Sequence, residues 1–231
     1  MSVATGPAGP SPEHLVLGTT RRQWSVLAVV AGLVAALAGG VVLGRVSAGG
    51  RAVTDRVDIG FARDMSVHHA QAVEMSSIAY VRTSDPAVRY LAFDILTSQQ
   101  GQIGRMSGWL QLWNQTPTDP SEIPMAWMGE PHSSGMPGMA TRAQVAALRT
   151  ARQSDVDEQF LRLMIRHHRG ALPMADFATA HASSSAMRDL AETMSSGQSA
   201  EIDLMQRMLV ERGHAEEPES HDGMGPMDMH G

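Results

Sequence analysis

The chain has 231 residues, a formal net charge of −6, 43% hydrophobic and 18% charged residues. This length fits one domain of about 150–180 residues with flanking segments, and the acidic balance excludes a nucleic-acid binder or a strongly basic docking surface. Cysteine is absent, which excludes disulfides, thiolate-bound zinc, iron–sulfur clusters, c-type haem attachment and thiol nucleophiles. Methionine (17) and histidine (10) are abundant while aromatics are only 4%, so methionine packs the core in their place or binds something.

Residues 1–23 form a stub rich in Gly, Pro, Ser and Thr that reads as disordered. Trp24 to Leu43 follow without a charge, and a run of this length in a helix spans about 30 Å, the hydrocarbon thickness of a bilayer. A transmembrane helix over 24–44 is expected, as a single-pass anchor or as the core of a cleaved signal with Val46-Ser47-Ala48 as the small-residue site. The length favours the anchor. Arg21 and Arg22 in front are balanced by Arg45 and Arg51 behind, so loop charge leaves the orientation open. The expected arrangement places the C-terminal domain on the extracytoplasmic side, secreted if the segment is cleaved.

The rest of the chain matches itself after a shift of 99 residues. Phe61, Met65, His68, His69, Ala72 and Met75 return as Phe160, Met164, His167, His168, Ala171 and Met174. Gln99, Ile103, Met106 and Leu110 return as Gln198, Ile202, Met205 and Leu209. Residues 61–110 contain 17 identities with the second copy, without a gap.

Each copy reads as two helices. Thr54 or Asp55 caps a helix to about Arg82. Ser84-Asp85-Pro86 breaks it and starts another, to about Trp113. A short helix is expected over Arg142–Ala151. Ser154 with Asp157 resembles a capping box for a helix to about His181. The Ser183-Ser184-Ser185 turn leads to the last helix, ending near Gly213. Pro173 is expected to kink its helix, with Gly170 easing the bend. No stretch alternates with period two. The predicted fold is all-α, a four-helix bundle over residues 54–213 made of two duplicated hairpins, 55–113 and 154–212. A linker at 114–140 and a tail at 214–231 complete the chain.

On a helical wheel Met65, His68, His69, Ala72 and Met75 share the inward stripe, and Met164, His167, His168 and Met174 repeat it. On the partner helices Gln99, Gln102 and Met106 share a face, as do Gln198, Glu201 and Met205. A single inward His or a Met stripe is ordinary core. Two adjacent His with the same flanking Met in both copies need partners for four imidazoles, and metal ligation supplies them. The candidate ligands are His68, His69, Met65, Met75, Met106, His167, His168, Met164, Met174, Met205 and Glu201. Imidazole with thioether and no thiolate points to copper, Cu(I) above all. Di-iron bundles need Glu-x-x-His pairs, which this chain lacks, and Asp64, Glu74, Asp176 and Glu201 are too few. Met125, Met128, His132, Met136 and Met139 in the linker, and His221, Met224, Met227, Met229 and His230 in the tail, read either as flexible copper-capturing tracts or as biased linker sequence.

The pattern Met-x2-His-His-x2-Ala-x2-Met followed by Gln-x2-Glu-Ile-x2-Met resembles the DUF305 family over about residues 55–212. The second copy matches best, through Met164-Ile165-Arg166-His167-His168-Arg169-Gly170-Ala171 and Gln198, Glu201, Ile202 and Met205. The first carries Gln102 where the pattern has Glu, and Met208 replaces the Trp expected by analogy with Trp109. The resemblance implies a ferritin-like helical bundle and a periplasmic or secreted copper-binding protein linked to copper resistance. The expected function is thus an extracytoplasmic, membrane-anchored protein that sequesters or delivers copper. Its expected partners are copper ions and, through the N-terminal helix, the membrane; no nucleic acid is expected. A metal-dependent oxidase would need a substrate pocket and an open coordination position. A metal-free helical interaction module would need the His pairs to be core residues.

Overall fold

The computed structural model describes residues 55–129 and 135–215. The expected membrane helix at 24–44, His132 and most of the tail lie outside them. Among the described residues no helix is long and apolar enough to cross a membrane, and no strand occurs. Five α-helices follow in order: α1 (Arg56–Arg82), α2 (Pro86–Leu112), α3 (Arg142–Thr150), α4 (Gln153–His181) and α5 (Ser185–Glu211), with a 3-10 turn at Ala126–Met128.

Local side-chain chemistry starts four of these helices. Asp55 accepts from the Val57 and Asp58 amides, and Asp58 returns the bond to the Asp55 amide. Asp85 accepts from Ala87 N with Pro86 in the first turn. Thr141 and Gln144 form a capping box, and Ser184 accepts from Met187 N. The expected capping box of α4 does not form. Arg152 is the N-cap, Ser154 Oγ donates to Asp155, and Asp157 accepts from Thr83 Oγ1 at 2.5 Å. Asp157 is taken by a tertiary contact that ties the α1–α2 turn to the start of α4.

α1 packs on α2, α4 packs on α5, and the two hairpins meet where α1 lies against α4. The buried side chains form two apolar clusters, each drawing on all four long helices. One joins Ala72, Met75 and Ile78 of α1 with Val88 and Ile95 of α2, Phe160 and Met164 of α4, and Met205 and Leu209 of α5; α3 adds Val145 and Leu148. The other joins Phe61 and Met65 of α1 with Met106 and Leu110 of α2, Met174 and Ala178 of α4, and Met187 and Leu190 of α5. The order of the clusters along α1 is the reverse of that along α4. Each fully buried large side chain contributes about 1.5–3 kcal/mol.

The segment between the hairpins is held by buried side chains rather than left as a loose tract. Arg63, nearly buried on α1, donates from Nε to Thr116 O at 2.9 Å and pairs with Glu122 at 2.7 Å. Asp64 Oδ2 accepts from Met125 N at 2.7 Å and from the Trp127 indole at 2.8 Å. Gly60 leaves room for that indole: a Cβ there would lie 2.4 Å from it. Met125 is buried, and Met128 and Met136 pack half-buried on the same cluster. The expectation of a flexible methionine tract therefore does not hold over these residues, because their thioethers cover core.

The segment also crosses α4 in tight contact. A Cβ on Gly170 would meet Pro137 O at 2.2 Å, and one on Gly138, at φ +76, would meet Arg166 O at 2.5 Å. Gly170 thus serves a backbone crossing, while α4 runs as one helix through Pro173.

Candidate metal centre

His68 and His69 of α1 and His167 and His168 of α4 are fully buried. Along each helix they fall at the change from one apolar cluster to the other. The rings of His68 and His167 lie face to tilted face, with centroids 3.9 Å apart.

Every ring is held through Nε2. His68 donates to Pro137 O at 3.0 Å, and His167 donates to the carbonyl of His68 at 3.0 Å. His69 donates to the Gln102 amide oxygen at 2.7 Å, and His168 donates to the Glu201 carboxylate at 2.5 Å. Carbonyls and carboxylates only accept, so they place a proton on Nε2, and in a neutral ring Nδ1 then keeps its lone pair. All four Nδ1 atoms are buried and have no hydrogen-bond partner. Unpaired buried acceptors are costly, and four within one layer form an unusual concentration.

Burial also keeps three of these rings, His68, His69 and His167, neutral. Desolvation lowers His68 to about 4, partly opposed by its bond to Pro137. Desolvation and the neighbouring His68 lower His69 to about 3. Desolvation and the other imidazoles hold His167 well below its ordinary value. Neutral imidazole is the ligating form.

The six candidate methionines are all fully buried. The structure groups them across the two copies. Met65 and Met106 share their cluster with Met174, whereas Met164 and Met205 share theirs with Met75. Glu201 reaches into the layer from α5 to His168. The remaining acids act elsewhere: Asp64 holds the 125–127 turn, Glu74 pairs with Arg149, and Asp176 accepts from Ser195. Among the described residues no three His, Cys, Asp or Glu side chains converge as the ligands of one ion.

Three participants are invisible to residue-type reasoning. The acceptors Pro137 O and His68 O are backbone atoms. Gln71 pairs doubly with Ala140, donating at 2.9 Å and accepting at 2.6 Å, which fixes the crossing segment beside His68. Gln99 and Gln198, recognised as a repeated pair, each bury an unpartnered Oε1. Chemically, the layer offers buried imidazole nitrogens between two clusters that contain buried thioethers, donor types suited to soft late transition metals.

Residues 58–209 match the family described as domain of unknown function DUF305. A DUF305 protein from Streptomyces coelicolor, carrying the name of a secreted protein, is 46% identical with a TM-score of 0.66, covering 71% of this chain and 98% of its own. A DUF305 fragment from Deinococcus radiodurans is 34% identical with a TM-score of 0.58, covering 68% and 98%. CopM in its Cu(I)-bound form is 26% identical with a TM-score of 0.53, covering 67% and 96%; its Cu(II)-bound form aligns at 29% identity. No curated protein matches the chain. The family match over most of its length and the all-helical structure shared with these proteins place the chain in the DUF305 family.

Proposed function

We propose that this protein binds copper as cargo outside the cytoplasm, for sequestration or delivery, in a ferritin-like four-helix bundle tethered by segment 24–44 or released by its cleavage. The observation that carries this reading is the layer of four buried imidazoles with every Nε2 engaged and every Nδ1 unpartnered. The apolar clusters on its two sides each hold three of the six candidate methionines, all fully buried. The CopM structures with Cu(I) and Cu(II) support the choice of metal, and the secreted relative supports the location.

Two corresponding positions, one in each half, follow from the grouping of donors. Helical side chains lean toward the helix N-terminus, so His69 leans toward Met65 and His168 toward Met164. One set is His69 with Met65, Met106 and Met174. The other is His168 with Met164, Met205 and Met75. His68 and His167 form the stacked pair between them. These residues bind and orient the ion, and the apolar clusters exclude water from it.

The test is a Cu(I) titration of the full chain, in mild detergent, against a competing chelator. Replacing His69 and His168 together by Gln is expected to weaken binding by at least about 10-fold. Unchanged affinity in a variant of wild-type helicity would refute the reading, and binding that instead disappears with residues 216–231 would move copper capture to the tail.

A further inference from the structure

We infer that the two halves of this centre select different oxidation states: Glu201 makes the His168 half the position for Cu(II), while the His69 half, backed by Gln102, holds Cu(I). This rests on the copper reading above and goes beyond it by assigning the charge of the ion each half accepts.

The two halves are otherwise matched. His69 and His168 are both fully buried. Each donates through Nε2 to a side chain 33 residues further on, carried by the neighbouring helix. Each lies where its helix passes between the two apolar clusters, one holding the candidate donors Met65, Met106 and Met174 and the other Met75, Met164 and Met205, all fully buried. The difference is the acceptor, a neutral amide in one half and a carboxylate in the other. Glu201 supplies the one carboxylate hydrogen-bonded to the four rings among the described residues.

Thioether and neutral imidazole donors bring no charge, so a buried ion must carry its own in a poorly polarisable interior. A monovalent soft ion suffers least from this. A dication suffers far more, and a carboxylate one imidazole away offsets part of that cost. Hydrogen bonding from Nε2–H to a carboxylate also fixes the ring and makes the opposite nitrogen a stronger donor. Both effects favour Cu(II) over Cu(I) at His168, and neither operates at His69. Glu201 acts here as a positioning residue. Its oxygen sits at Nε2, across the ring from the unpartnered Nδ1. Its side chain is 19% exposed, so water solvates its outer edge.

The experiment uses the full chain in mild detergent and titrates Cu(II), followed by electron paramagnetic resonance, and Cu(I), against a chelator. Wild type is expected to take one Cu(II) tightly. Glu201→Gln, nearly isosteric, is expected to weaken that Cu(II) by about 10- to 100-fold and to change Cu(I) affinity far less. Gln102→Glu is the complementary variant, expected to create a second tight Cu(II) position with its own resonance signal. Equal weakening of both oxidation states by Glu201→Gln overturns the inference, as does Cu(II) binding indifferent to both variants. Those results leave copper binding itself intact, whereas a wild-type chain that binds neither ion overturns the proposed function and this inference with it.

Discussion

His167 donates from Nε2 to the backbone carbonyl of His68, 99 positions earlier, at 3.0 Å. The reciprocal bond is absent, because His68 turns its own Nε2 to Pro137 O in the segment joining the hairpins. The connecting segment therefore does more than span a distance. It enters the His layer, and Gln71 and the Gly138–Gly170 crossing hold it there.

That crossing makes Gly170 sensitive. Gly170→Ala would push a methyl group into Pro137 O, a backbone atom that cannot rotate away. The expected loss is about 1–3 kcal/mol, seen as a thermal midpoint lower by several degrees. Gly197→Ala in α5 meets nothing within 4 Å and is expected to gain about 0.5–1 kcal/mol by helix propensity. Equal melting of the two variants would refute the crossing.

Acid should destabilise the metal-free domain. His68 and His69, lowered to about 4 and about 3, stay neutral in the fold at pH values where the unfolded chain has already taken up protons. The unfolded state then binds more protons, so stability falls as pH drops from near 6.5 toward these values. Each histidine adds a slope of at most about 1.4 kcal/mol per pH unit. Denaturant unfolding at pH 7.5, 6 and 5 measures it, and His69→Gln should flatten the dependence. A pH-independent midpoint would contradict neutral burial.

The grouping of methionines across copies predicts which pairs act together. Met→Leu nearly conserves volume and costs less than about 1.5 kcal/mol of stability. In a double-mutant cycle on Cu(I) affinity, Met65→Leu and Met174→Leu should couple, while Met65→Leu and Met75→Leu should add independently. Coupling within each copy instead would assign the donors along single helices.

Asp64 holds the 125–127 turn through one oxygen. Asp64→Ala leaves a buried amide and the Trp127 indole unpaired, a loss of about 1–3 kcal/mol. Tryptophan emission should shift to the red as Trp127 loosens. Asp64→Asn keeps one acceptor oxygen and should shift it less. Emission unchanged in Asp64→Ala would show that the turn is held without it.

The amino-acid order by itself determined what is local and periodic. Asp55, Asp85 and Ser184 mark helix starts because a short polar side chain satisfies amides two or three residues on. His68, His69, His167 and His168 are inward because helical periodicity puts them on the apolar stripe. The motif also sufficed to name the family. Contacts between distant segments needed the tertiary structure. Asp157 looked like a helix cap but binds Thr83, since a through-space partner competes for the same oxygen. Met125 looked like part of an open tract but is buried, since Asp64 and Arg63 recruit the segment. The identity of each imidazole's partner, and the division of the methionines between clusters, depends on how α1 meets α4. Antiparallel packing brings the second half of one helix beside the first half of the other, so neighbours in space are not neighbours in the motif.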